Sequence, residues 1–300
     1  MRNIDGKVFT YAEHPPSDFD LREGVTKESF GLGNVEQRKI QRLGPTWAPV
    51  AKIREWPGYP VDSYEALVKA VAHVASGNRL QHLYFRGQTR DHKDRNGRST
   101  VYSSICRPQG HNLSRSVLAA RCERLRAARE LLLGHAKELG LTHRIHRYPE
   151  AAWALLQHYE VCPTPLIDVT GSLRVAASFA LMNDAKEGFL YVLGLPFPHG
   201  SISHLIDHEI LIVRLQSVCP YEALRPHFQE GILIGRYPWT DQKQMGDNAA
   251  YRMIAKFKLV NDRNRFWNRG FTPIPKDVLL PTDDPFGEKL RGILAPVLGA

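Results

Sequence analysis

The sequence predicts an α+β fold, with N-terminal helices packed on a mixed or antiparallel sheet core. Three observations lead there. Helical periodicity is strongest before Glu160, over Tyr64–Ala75 and Ser114–Leu139. Apolar runs of strand length gather after it, at Gly188–Leu195, Ile210–Leu215 and Gly231–Tyr237. No GxGxxG follows a strand, and GxxxxGK[ST] and HExxH are absent, so a Rossmann or P-loop architecture is not expected.

The chain of 300 residues is long enough for one large domain or two small ones. The expected division is an N-terminal extension, 1–60, packed on one domain over 61–300. A hydrophobic content of 43% with 24% charged residues is a globular composition, not a disordered one. The formal charge of +9 favours an anionic partner, either a small molecule or nucleotide or a nucleic acid. Four cysteines, widely spaced and without a CxxC, argue against a zinc knuckle or a disulfide scaffold. They fit a reducing compartment, and the cytoplasm is expected. No apolar stretch is long enough for a membrane span, and the N-terminus lacks a signal-peptide core. The oligomeric state is left open.

The elements follow in order. Gly and Pro punctuate residues 1–60 heavily, leaving a short strand at Val8–Tyr11. Trp47 and Trp56 are expected to plug this segment onto the domain. Asp62 or Ser63 caps the first helix, whose stripe is Tyr64, Leu67, Val68, Val71 and Val74, and Gly77-Asn78 ends it. Leu83–Phe85 reads as a buried strand, with Gly87 at a turn or close backbone approach. Arg90–Thr100 is a polar loop, and VYSSICRP returns as a short strand. Along Ser114–Leu139, Arg121, Arg124, Arg126 and Arg129 form either a solvated face or an anion-binding one. Pro149 suits the first turn of a helix ending at His158. Phe197–His208 reads as irregular, and GEKLRGILAPVLG as a terminal helix.

Candidate chemistry centres on Leu155–Leu181, where His158-Tyr159, Asp168, Thr170 and Ser172 emerge between buried elements. Such polar groups are costly unless paired or used. Asp168 and Ser172 also suit the capping of the helix that follows. Arg86, at the exit of an apolar strand, needs a carboxylate, carbonyls or an anionic ligand. His204 and His208 lie four apart without an obvious third ligand, so no metal is expected. No GxSxG elbow is present, and a triad of Cys162, His158 and Asp168 would have to be assembled across the chain. Arg86, His158-Tyr159, Asp168-x-Thr170-x-Ser172 and Gln229-Glu230 together supply a guanidinium for phosphates, hydroxyls, an aromatic surface and carboxylates. That set suits cleavage of a nicotinamide–ribose bond, where a carboxylate steadies an oxocarbenium ion.

The segment LYFRGQ, with Phe85-Arg86-Gly87, and the stretch QHYEVCPTPLIDVTGSLRVAASFAL resemble the FRG domain family. A third piece, RPHFQEGILIG, places Arg225, Gln229 and Gly231 in the expected order. The chain departs from the pattern at three positions. Glu160 stands at a usual glycine, Pro165 at an arginine and Val169 at a tryptophan. The motif order also resembles that of the ADP-ribosyltransferase fold, which implies a split sheet with NAD as substrate. In that resemblance Glu230, Ser172 and Asp168 are the catalytic candidates, with Glu187 or Glu209 as other carboxylates. Arg86, Gly87, His158, Tyr159, Thr170 and Gln229 bind the nucleotide, and the acceptor is a nucleic acid or a protein. The alternative is a non-enzymatic module that binds nucleotide or nucleic acid, of toxin or defence type.

Overall fold

The computed structural model describes residues 50–78, 81–108, 113–141, 143–239 and 248–298. In chain order these form α1 (Val50–Glu55), β1 (Tyr59–Val61), α2 (Tyr64–Gly77), β2 (His82–Gln88), α3 (Arg115–Gly134), α4 (Arg144–Arg147) and α5 (Pro149–His158). There follow β3 (Leu166–Thr170), α6 (Leu173–Ala180), β4 (Glu187–Leu195), β5 (Ile202–Leu205), β6 (Ile210–Arg214) and α7 (Leu215–Val218). The last are α8 (Leu224–Phe228), β7 (Gly231–Arg236), β8 (Met253–Val260), α9 (Lys276–Leu279) and α10 (Pro285–Leu298). The fold is α+β, with mixed and largely antiparallel pairing. The chain divides into two compact units. One takes the chain up to Thr100 with Phe179–Phe197 and Ala250–Thr272; the other takes Val101–Ser178, Pro198–Ala249 and Pro273 onward.

In the first unit the strands run β1-β8-β4-β2, with β1 parallel to β8 and the other pairs antiparallel. Val50–Val61 belongs to this unit. The expected strand at Val8–Tyr11, and Trp47, lie outside the described residues. Trp56 is not a buried plug: its side chain is exposed, and its carbonyl turns inward, accepting from Lys256 Nζ at 2.6 Å. Ser63 caps α2, its hydroxyl accepting from Ala66 N–H at 3.3 Å. The α2 stripe then buries Tyr64, Leu67, Val71 and Val74, while Val68 stays exposed. Gly87 lies within β2, opposite Leu190, rather than at a turn. Gly188 admits no side chain, because a Cβ would lie 2.2 Å from the carbonyl oxygen of Ala180.

The polar stretch 90–100 is not simply a solvated loop. Asp91 and Ser99 reach a fully buried Lys256 on β8, whose Nζ donates to Asp91 Oδ2 at 2.6 Å and to Ser99 Oγ at 2.7 Å. Ser99 Oγ donates to Asp91 Oδ1 at 2.6 Å, and Tyr191 OH donates to the same oxygen at 2.8 Å. Burial holds the Lys256 ammonium below its ordinary pKa, with Asp91 opposing that shift.

In the second unit the strands run β3-β7-β6-β5, all antiparallel. Phe197–His208 is less irregular than expected, since Ile202–Leu205 pairs with β6. VYSSICRP forms no strand; Tyr102 makes an isolated bridge with Asn248. The core joins α3, α5 and α10 through Leu132, Leu155, Leu156, Leu290 and Leu294. Helix α3 stops at Gly134, earlier than its apolar periodicity suggests. Two of its arginines serve neither as a solvated face nor as an anion site. Arg121 Nη1 donates to the carbonyls of Ile105 at 2.8 Å and Arg107 at 2.7 Å. Arg124 Nε donates to Val297 O at 3.0 Å, and its Nη2 to Leu298 O at 3.2 Å. It thereby satisfies carbonyls left over at the end of α10.

Glu160, where the family shows glycine, adopts φ +57° in the turn after α5. The left-handed conformation explains the glycine preference, since a Cβ there is disfavoured. Glu160 has one compensating contact, Arg225 Nη2 to its Oε1 at 2.6 Å, and its side chain is exposed. Glu160→Gly is therefore expected to leave stability unchanged or raise it by up to about 1 kcal/mol, because the strain relieved matches or exceeds an exposed ion pair. A lower urea midpoint for the variant would refute this.

Candidate functional site

Helix α5 ends in Gln157 and His158, and both side chains reach Asp168 on β3. Gln157 Nε2 donates to Asp168 Oδ2 at 3.0 Å. His158 Nδ1 lies 2.7 Å from Asp168 Oδ1. A carboxylate only accepts, so the proton of this bond sits on Nδ1. The orientation of the Gln157 amide is also determined. Its Oε1 accepts from Ser104 Oγ at 2.7 Å and from Thr164 Oγ1 at 2.8 Å, which turns the NH₂ toward Asp168. Ser104 Oγ is held in turn by Thr164 N–H at 2.8 Å.

Burial separates the roles of the pair. The His158 side chain is 1% exposed, whereas Asp168 is 33% exposed. His158 Nε2 is buried and has no hydrogen-bond partner among the described residues. Its ring lies against Gly231, where a Cβ would come within 3.1 Å of His158 Cε1 and 2.9 Å of Leu215 Cδ1. The imidazole is therefore sealed behind the carboxylate. It orients Asp168 and has no open nitrogen to present to solvent. Cys162, the other member of the imagined triad, is buried, and its thiol is pushed up to about 12 by desolvation. A thiol so far from ionising is a poor nucleophile.

The remaining candidates of this unit divide between site and scaffold. Side chains alternate along a strand, so Thr170 shares a face of β3 with Asp168, and Val169 points to the opposite face. Val169 is buried there, so its replacement of a tryptophan does not remove a wall beside Asp168. Thr170 pairs with Gly231, which brings the preceding Glu230 to the same end of the β3–β7 ladder. Glu230 itself is exposed at φ +46°. Ser172 caps α6: its Oγ accepts from Val175 N–H at 3.5 Å and its carbonyl from Ala176 N–H at 3.1 Å. The Ser172 N–H donates to Thr170 Oγ1 at 3.0 Å.

Tyr159 and Gln229 are core residues. Tyr159 OH donates to Asp284 Oδ2 at 2.8 Å, and its ring lies 5.3 Å from that of Phe286. Burial, then Asp284, pushes its phenol far above the ordinary range. Gln229 Nε2 donates to Leu279 O at 2.6 Å, pinning α9. Arg86 and Gly87 lie in the first unit, on β2, with Arg86 opposite Tyr191. His204 is on β5, 3.3 Å from Glu150, and His208 is in a 3₁₀ turn, so they share no helix face. Among the described residues no group of three or more His, Cys, Asp or Glu could hold a metal ion.

The order β2 with Phe-Arg-Gly, then α5, β3 and α6 carrying the long motif, falls within the segment that matches a known family model. Residues 81–188 are an FRG domain. The FRG domain thus supplies Gln157, His158 and Asp168 as well as Arg86. Glu230 and Gln229 lie beyond it. No curated protein and no solved structure matches the chain.

Sequence reasoning singled out His158 and Asp168 but missed the parts that hold them. Gln157 and Thr164 stand in the matched motif without a role of their own, and Ser104 carries no motif at all. One signal was available: Gln157 adjoins His158 at a helix end, where both side chains can reach the strand that follows.

Proposed function

We propose that the FRG domain cleaves the nicotinamide–ribose bond of NAD and passes the ADP-ribosyl group to an acceptor, water or a macromolecule. The observation that carries this reading is the Asp168 carboxylate, oriented through both oxygens and still one-third open to solvent. As nicotinamide leaves with the bonding electrons, positive charge develops on the ribose ring. A carboxylate already fixed in place stabilises that charge without reorganising. The acceptor then adds to the anomeric carbon and loses a proton. Asp168 takes the role of the principal carboxylate in preference to Glu230, which stands exposed in a turn. The ADP-ribosyltransferase-like split sheet and a cytoplasmic setting belong to this reading as expectations.

The test is release of labelled nicotinamide from NAD. Asp168→Asn is expected to lower the rate about 10²–10³-fold, the loss seen when one oriented charge-stabilising group is removed. Glu230→Gln is expected to retain most activity. If Glu230→Gln abolishes release and Asp168→Asn does not, the assignment of Asp168 fails. If the wild-type protein binds NAD tightly and releases nothing, the protein is a binding module.

A further inference from the structure

Positive charge gathers at one end of the first unit. From Arg252 to Thr272 Asp262 is the sole carboxylate, against Arg252, Lys256, Lys258, Arg263, Arg265 and Arg269. Lys256 is buried on Asp91, and Lys258 pairs with Glu187 at 2.7 Å. Arg263 and Arg265 are exposed, and among the described residues neither has an ion-pair partner. Within DRNRFWNRGF, Arg263, Arg265, Trp267, Arg269 and Phe271 stand at every second position, so cations and rings are interleaved.

The segment is held in a fixed shape. Its backbone turns left-handed at Arg263 and Asn264, φ +48° and +57°, and again at Arg269 and Gly270, φ +53° and +80°. Between these corners Phe266 is fully buried. Its N–H donates to Asn261 Oδ1 at 3.2 Å, and its carbonyl accepts from Tyr64 N–H at 2.8 Å. Trp267, half-buried, stacks on Tyr64 at 5.1 Å and 27°, and Phe271, 44% exposed, lies 4.9 Å from the same ring. Arg269 and Lys69 share the Glu65 carboxylate beside these rings, at 2.7 and 2.6 Å, so two positive charges meet one negative. A surface ordered in advance loses little entropy on binding.

We infer that this surface binds single-stranded RNA, its bases on Trp267 and Phe271 and its phosphates on Arg263, Arg265 and Arg269. Unpaired bases offer ring faces to aromatic side chains, and guanidinium groups follow the phosphates between them. A duplex keeps its base faces stacked inside and cannot use the rings. A lipid surface calls for apolar side chains that insert, whereas Trp267 lies flat on Tyr64. Asn264 favours ribose over deoxyribose. Its Oδ1 accepts from Asn261 Nδ2 at 3.2 Å, leaving the NH₂ of this exposed residue as a donor for a 2′-hydroxyl.

The test is fluorescence anisotropy of a labelled oligouridine of about 12 nucleotides, titrated with the full chain at several salt concentrations. Saturable binding that weakens with salt is expected, and weaker binding of the matching oligodeoxyuridine. Each single-strand phosphate contact contributes about 0.7 to the slope of log affinity against log salt, so Arg263→Gln/Arg265→Gln is expected to lower that slope by about 1.4. Phe271→Ala is expected to weaken binding at least about fivefold through the loss of one stacked base, with the slope unchanged. Both variants alter exposed side chains and are expected to keep the wild-type melting temperature. Asp168→Asn is expected to bind RNA as wild type does, which separates this surface from the site above. Absence of saturable binding would overturn the inference, as would wild-type affinity in both variants or equal affinity for the deoxy oligomer. Equal competition by polyglutamate, which has charge but no ring faces, would also overturn it, and so would association with phosphatidylserine vesicles in place of RNA.

Discussion

Replacing Lys256 by methionine is expected to destabilise the first unit by about 3–5 kcal/mol, the cost of stranding one partner of a buried ion pair. Asp91 would keep the hydroxyls of Ser99 and Tyr191 but lose the ammonium group 2.6 Å away. Among the described residues the other cation near Asp91 is the half-exposed Lys93, at 3.8 Å. The Trp56 carbonyl would also lose its donor. The double variant Lys256→Met/Asp91→Leu is expected to recover part of the loss, because removing both charges also removes the desolvation penalty. Urea unfolding of the three proteins checks this. A single variant within about 1 kcal/mol of wild type, the range of an exposed pair, would show that the cluster is solvated.

Replacing Asp284 by alanine is expected to cost a similar amount in the second unit, about 3–5 kcal/mol from a lost cap and stranded donors. Asp284 is 1% exposed and is used through both oxygens. Oδ1 accepts from Gly287 N–H at 3.0 Å at the start of α10. Oδ2 accepts from Tyr159 OH at 2.8 Å and from Arg225 N–H at 2.9 Å. A cap alone is worth about 1 kcal/mol, and each buried donor left unmatched adds about 1–3 kcal/mol. Tyr159→Phe removes only the hydroxyl and is expected to cost less. A double-mutant cycle between the two isolates their coupling. Additivity of the two losses would refute a shared hydrogen bond.

The elements legible in the sequence were those whose packing repeats locally. Helix α2 buries a set of side chains at helical spacing, and strands β4 and β6 are near-continuous buried apolar runs, each visible within a few residues. Strand β5 was not legible. Only Ser203 of ISHL is buried, so neither an apolar run nor an alternation marks it. Arg121 and Arg124 of α3 show the limit of composition. Their charges suggest solvent or an anion, while their partners are carbonyls from segments distant in the chain. The candidate site divides in the same way. His158 and Asp168 are ten residues apart and stood out as polar groups amid apolar elements. Ser104, which sets the Gln157 amide, is 53 residues from it and has no local signal.

The Lys256 clamp has a consequence for what chain length the molecule tolerates. Asp91 and Ser99 are both fastened to one ammonium group, so residues 92–98 form a closed span with a fixed base. At its tip Asp94 Oδ1 accepts from the N–H groups of Asn96 and Arg98, and Gly97 takes φ +74°, while the Asp94 and Arg98 side chains reach Arg54 and Glu55 of α1. Closing a span costs entropy that grows only with the logarithm of its length, about 0.6 kcal/mol per doubling. An insertion between Asn96 and Gly97 therefore leaves Asp91 and Ser99 on their ammonium group, and the chain can acquire new sequence there without renegotiating the sheet beneath.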